Sequence, residues 1–169
     1  MKLHIGGVER KEGWHVLNAR PAETVDFVGD IRDLSRFADG SIEAVYASHV
    51  LEHTGLRDLE PTLAGIHRVL CDGGTFYVSV PDLDILCRHF LSPELTPQQK
   101  FQVMRMMFGG QTHEHDFHHV GFNRVFLQSF LARAGFRRVE RVASFGLFAD
   151  TSEFRPFGTP ISLNMVAVK

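Results

Sequence analysis

Two stretches of the chain carry side chains able to move protons or hold ligands: SHVLEH (Ser48 to His53) and THEHDFHH (Thr112 to His119). Both set histidines beside carboxylates. Histidine titrates closest to neutrality, so such groups act as bases, as donors lining a substrate, or as metal ligands. In the second stretch His113, His115, His118 and His119 accompany Glu114 and Asp116. No helical H-x-x-x-H or other zinc spacing is present, so no metal is predicted there. A structural or substrate-lining role comes first, a general base second. In SHVLEH, His49 and His53 are balanced between ligand contact and packing, and Glu52 is read as a helix cap or as a group orienting a histidine.

The elements that must position these groups follow from apolar runs. Leu3 to Ile5, His15 to Asn18, Val25 to Gly29, Glu43 to Ser48 and Thr75 to Val80 read as buried parallel strands. Between the last two, Leu59, Leu63, Ile66 and Leu70 fall on one helical face, with Asp58 as the expected N-cap and Gly73-Gly74 closing the connection. This alternation implies an α/β sheet with right-handed crossovers. Asp82 to Phe90 and Gln98 to Phe108 read as helices. A third helix starts at Asn123 and ends at Gly135, before closing strands at Arg137 to Phe145 and Ile161 to Lys169. Eleven of the fifteen phenylalanines lie from Phe101 onward, which predicts mostly core there. One domain spans 1–169, with 82–122 as a helical and loop cap.

Open α/β sheets bind ligands outside the carboxyl ends of their strands. The residues at those ends are Gly6-Gly7, Asn18, Asp30-Ile31, Ser48-His49 with Leu51-Glu52-His53 close behind, and Pro81-Asp82. Glycines allow close backbone approach, while Asn18 and Asp30 can accept from ribose hydroxyls and an adenine amine. That order suits a nucleoside.

LHIGG, GWHVLNA, VGDIRDLSRFADGSIEAVYASHVLEH, HRVLCDGGTFYVSVPDLD and LARAGFRRVE together resemble the compact class I S-adenosylmethionine-dependent methyltransferases, and the resemblance is strongest from Val28 to Asp84. It implies a three-layer, Rossmann-like sandwich with a mostly parallel seven-stranded sheet, its last strand antiparallel. It also implies S-adenosylmethionine as cofactor. Gly6 and Gly7 would face its methionine part, Asn18 the ribose, Asp30 the adenine amine and Ile31 the adenine ring. Ser48, His49, Leu51, Glu52 and His53 would line the floor, and His49, His118 or His119 would take a proton from the acceptor.

Two departures mark this chain. The family's G-x-G is here Gly6-Gly7-Val8, and its ribose-binding acid is Asn18. Loss of the charge alone is expected to weaken cofactor binding by about tenfold. Moreover, the segment joining the first two strands has no apolar face, so the usual first helix is expected to be missing. Nine extended residues reach about 30 Å, enough to return along a short strand. The open sheet face this leaves favours a homodimer.

The chain has 169 residues and a formal net charge of -2, so no basic excess points to nucleic acid or an anionic membrane. No apolar run approaches the roughly 18 residues of a membrane span. Cys71 and Cys87 make no disulfide framework and read as buried small hydrophobes. Without a signal peptide at MKLHIGG, the expected compartment is the cytoplasm. Two functions are consistent with these residues: methyl transfer to a small-molecule or sugar-like acceptor, or a degenerate methyltransferase fold acting as a binding or interaction module. A nicotinamide dehydrogenase is disfavoured, since no G-x-G-x-x-G opens a helix.

Overall fold

The computed structural model describes residues 1–169. Seven strands form one sheet: β1 (Lys2–Ile5), β2 (Trp14–Asn18), β3 (Phe27–Val28), β4 (Ile42–Ser48), β5 (Leu70–Pro81), β6 (Arg138–Val142) and β7 (Ser162–Val168). Their order is β3-β2-β1-β4-β5-β7-β6. Every pair from β3 to β5 is parallel, and β7 runs antiparallel to both β5 and β6. This is the expected α/β sandwich with its reversed last strand.

Four helices complete the fold: α1 (Leu56–Val69), α2 (Leu83–Leu91), α3 (Pro97–Phe108) and α4 (Arg124–Arg133). Leu59, Leu63, Ile66 and Val69 of α1 are fully buried along one stripe. They share a core with Leu127 and Leu131 of α4 and with the strand residues Leu3, Val45, Phe76 and Leu163. Asn123 caps α4 as expected, its Oδ1 accepting from Phe126 N at 2.9 Å. The N-cap of α1 is Gly55 and not Asp58, and Leu70 both caps the end of the helix, its N–H donating to Ile66 O, and opens β5. On α3, Thr96 and Gln99 form a reciprocal capping box.

The first crossover has no helix, as the sequence predicted, and β1 still pairs with β2 in parallel from Lys2↔Trp14 to Ile5↔Leu17. The face this exposes is covered from within the chain by the segment between β6 and β7. Phe148 packs on His4, Trp14 and Tyr46, and Phe145 on Tyr46 and Tyr77. Tyr46 donates from its hydroxyl to Asp150 Oδ2 at 2.8 Å, and Lys11 Nζ donates to Leu147 O, joining crossover and cover. Asp150 therefore serves packing.

Two expectations about composition are corrected. Of the eleven late phenylalanines only Phe122, Phe136 and Phe148 are buried, while Phe101, Phe108, Phe117, Phe126 and Phe154 are exposed. Their helices and loops present a second face outward, because the cap has one sheet to pack against. Cys87 is exposed and Cys71 half-buried. No helix is long and apolar enough to cross a membrane.

His4 is the most consequential buried group of the cover. It is 4% exposed, and its Nδ1 has no hydrogen-bond partner. Burial lowers its pKa to about 4, against the opposing pull of Asp150. The unfolded chain binds this proton at about pH 6.5, so stability is intact above that value and falls as the pH drops toward 4. Urea unfolding at about pH 7 and about pH 4.5 should show a loss, of which His4→Phe removes about 1–2 kcal/mol. An equal loss in the variant would show that His4 is not responsible.

Candidate functional site

The carboxyl ends of β1, β2, β3 and β4 open onto a cavity of about 360 Å³. That volume falls in the range of small-ligand sites, about 300–1,000 Å³. Gly6, Asn18, Asp30 and Ile31 line one side; His49 and His53 come from the segment after β4, and His113 and His119 from the loop between α3 and α4. Parallel pairing explains why residues so distant in sequence share one rim: all four strands end on the same side.

The glycine turn is held by Asn18. Its Nδ2 donates to the carbonyls of Gly6 at 3.1 Å and Gly7 at 3.0 Å, and its Oδ1 accepts from Arg20 N at 2.9 Å. An acid at this position has no proton to donate to either carbonyl. The amide thus belongs to the turn's own architecture, and one Oδ1 lone pair remains for a ligand. Gly6 has a φ of +78°, and a Cβ there would lie 2.4 Å from Val50 Cγ2. Gly7 does not line the cavity. A Cβ on it would meet the His4 ring at 2.2 Å, so the second glycine is required by packing on the opposite face. Val8, 63% exposed, points to solvent and closes nothing.

At the end of β3, Asp30 forms a fork with Arg32. Oδ1 accepts from Arg32 N and Nε, both at 2.8 Å, and Oδ2 accepts from Nη2 at 2.8 Å. Hydrogen bonding from Arg32 holds this carboxyl below its usual pKa. Oδ2 keeps a lone pair facing a cavity it shares with Ile31 and Arg32. Sequence reasoning overlooked Arg32. At i, i+2 the pair is too close for one helical face, and Asp30 to Arg32 lies past the end of β3, where the turn brings the fork together.

Behind the cavity wall lies a polar cluster. Glu52 is 1% exposed and neither carboxyl oxygen has a hydrogen-bond partner. Desolvation raises its pKa to about 8. His49 Nδ1 lies 3.5 Å and His118 Nε2 3.9 Å from Glu52 Oε1. Burial lowers the pKa of His49 to about 4 and those of His53 and His118 below their usual value. At neutral pH these histidines are uncharged and Glu52 is mostly protonated, so neither approach is an ion pair.

Outer hydrogen bonds determine the tautomers. Ser162 donates to Thr151 O at 2.8 Å and must therefore accept from His49 Nε2 at 2.9 Å, leaving Nδ1 unprotonated toward Glu52. Similarly, Phe117 O can only accept, so His53 Nδ1 is its donor at 3.0 Å and Nε2 is bare. His49 adopts φ +53°, a backbone state uncommon outside glycine. The loop above is shaped by Asp116, which accepts from Gly110 N, Thr112 N and Thr112 Oγ1. It is pinned down where His119 N donates to Glu52 O at 2.8 Å.

Gly6, Asn18, Asp30, Ile31, His49, His53 and His119 thus meet at the cavity. Other expected site residues do not reach it. Leu51 is fully buried in the main core, because the turn after β4 directs it inward. Ser48 lies on the covered face, 3.5 Å from Thr151 Oγ1. Glu52 and His118 stand behind the wall, and Asp82 caps α2 and pairs with Arg141.

Residues 8–78 match the family model described as a methyltransferase domain. Among solved structures, the chain is similar to an S-adenosylmethionine-dependent methyltransferase from Archaeoglobus fulgidus, at 15% identity and a TM-score of 0.61 over 99% of this chain and 85% of that one. It is also similar to the 1,6-didemethyltoxoflavin-N1-methyltransferase of Burkholderia thailandensis, solved with 1,6-didemethyltoxoflavin and S-adenosylhomocysteine. There the identity is 17% and the TM-score 0.60, over 99% and 70% of the two chains. Against the CurJ carbon methyltransferase (15% identity, TM-score 0.59) it covers 98% of itself and 47% of that chain, about half the relative's length. No curated protein matches the sequence. The sheet order and these likenesses show the fold of the class I methyltransferases, and the family model matches within residues 8–78 of it.

The engagement of Asn18 makes a direct prediction. Replacing the amide by an acid, Asn18→Asp, should destabilise the fold by about 1–3 kcal/mol, since two donors become a carboxylate facing two carbonyls. Asn18→Ala should lose less, about 1 kcal/mol. Urea midpoints in the reverse order would show that the amide does not hold the turn.

Proposed function

We propose that this chain transfers a methyl group from S-adenosylmethionine to a small-molecule nucleophile lying under the loop 109–119. The observation that carries this reading is the single cavity joining Gly6, Asn18, Asp30 and Ile31 on one side to His113, Glu114 and His119 on the other. The first set suits an adenosyl group. Asp30 Oδ2 has a free lone pair for an amine, Asn18 Oδ1 one for a hydroxyl, and Ile31 supplies an apolar wall. When bound, the cofactor supplies an activated sulfonium methyl.

The protein's own part is then alignment, exclusion of water and removal of one proton. Asp30 and Arg32 hold each other rigid, so the cofactor end is preorganised. His119 reaches the cavity from the loop and is the base we assign. His49 lines the same cavity, yet its Nε2 is committed to Ser162 and its Nδ1 faces Glu52, which makes it a positioning residue. His118 has no access to the cavity and is not assigned as a base.

One observation favours a second reading, a non-catalytic binding module. Both polar groups expected to meet adenosine, Asn18 and Asp30, already serve internal partners. Calorimetric titration with S-adenosylmethionine and S-adenosylhomocysteine separates the two. Micromolar binding that weakens at least about tenfold in Asp30→Ala, with folding retained, is the expected result. Absence of binding up to millimolar cofactor would overturn the methyltransferase reading in favour of the module.

A further inference from the structure

The least explained group in the molecule is the Glu52 carboxyl, 1% exposed and with both of its oxygens lacking a hydrogen-bond partner. Burial of such a group is unfavourable unless something pairs with it. What surrounds it is a set of lone pairs. Glu52, His53 and His118 each offer one ligand atom, and these atoms all lie within 4.8 Å of one another. His49 Nδ1 adds a fourth at 3.5 Å from Glu52 Oε1.

We propose that Glu52, His53 and His118 form a binding site for a divalent transition metal of the zinc class, with His49 as neighbouring fourth ligand. Three features support this. The donor set of imidazole nitrogens and one carboxylate oxygen is the one zinc takes in open, three-ligand sites. The outward nitrogens of His53 and His49 are hydrogen-bonded to Phe117 O and Ser162 Oγ, the outer support that orients metal-ligating histidines. Finally, a tetrahedral site with bonds of about 2.1 Å needs ligand atoms about 3.4 Å apart, so each atom here moves by less than about 1 Å.

The spacing His49-x-x-Glu52-His53 also occurs in a class of zinc enzymes, where a helix presents the motif. Here Leu51–His53 is a single 3₁₀ turn, and the third ligand arrives from the 109–119 loop. His53 borders the cavity, so the metal would face the proposed acceptor. Its use in catalysis rests on the methyltransferase reading. Its occupancy does not.

Tag-free protein stripped with chelator and titrated with Zn²⁺, or with Co²⁺ for its visible absorption, tests the site without any turnover assay. One equivalent should bind per chain at micromolar metal, with absorption typical of tetrahedral cobalt. Glu52→Gln and His118→Ala should each weaken binding by at least about tenfold. The double variant His113→Ala/His115→Ala, which alters exposed histidines of the same loop, should leave it unchanged. Circular dichroism in chelator checks that each variant is folded, and Glu52→Gln removes an unpartnered buried carboxyl, so its metal-free fold should persist. Failure of the wild type to bind at micromolar metal would overturn the site, as would loss that follows His113 and His115 instead of Glu52 and His118. Cofactor titration is read separately, so either proposal can fail alone.

Discussion

The constraint on which this structure depends is the length of the first crossover. Eight residues, 6–13, must carry the chain from the carboxyl end of β1 back to the start of β2, because the two strands are parallel. A helix does not fit in that length. Two consequences follow. The sheet face beside β1 has no helix to bury it, and the turn at Gly6-Gly7 must reverse sharply with little local support.

Both consequences are met by side chains from elsewhere. The segment between β6 and β7 supplies Phe145 and Phe148, which enclose His4, Trp14 and Tyr46 in a largely aromatic layer. Gly7 then has to be a glycine, since the His4 ring occupies the space of a side chain. Asn18 supplies the donors that keep the turn closed. Gly7 and Asn18 are thus parts of one solution to a short connection. The cavity stays open beside them.

On the other side of the cavity the organising fact is a buried carboxyl among neutral imidazoles. The main core is apolar, but the turn after β4 places Glu52 inside while Leu51 fills the core next to it. The loop 109–122 closes over this pocket through His119 N and Val120 N, both donating to Glu52 O. Access to the site and the geometry of the cluster are therefore coupled through a single carbonyl.

Much of this was legible in the sequence by itself. Buried strands announce themselves as continuous apolar runs, and α4 as an Asn-capped amphipathic segment, because these signals are local. The positions after each strand pointed to Gly6, Asn18, Asp30 and His49, since parallel strands bring their ends to one rim whatever the details. Roles were another matter. That Asn18 serves the turn, that Gly7 serves His4, that Leu51 points into the core, and that Arg32 forks Asp30 are decided by side-chain direction, which residue type does not encode. Likewise, His118 lies sixty-odd residues beyond the adjacent pair Glu52 and His53, and no spacing rule joins it to them. Only the closure of the 109–122 loop onto the turn after β4 makes three ordinary residues into one buried site.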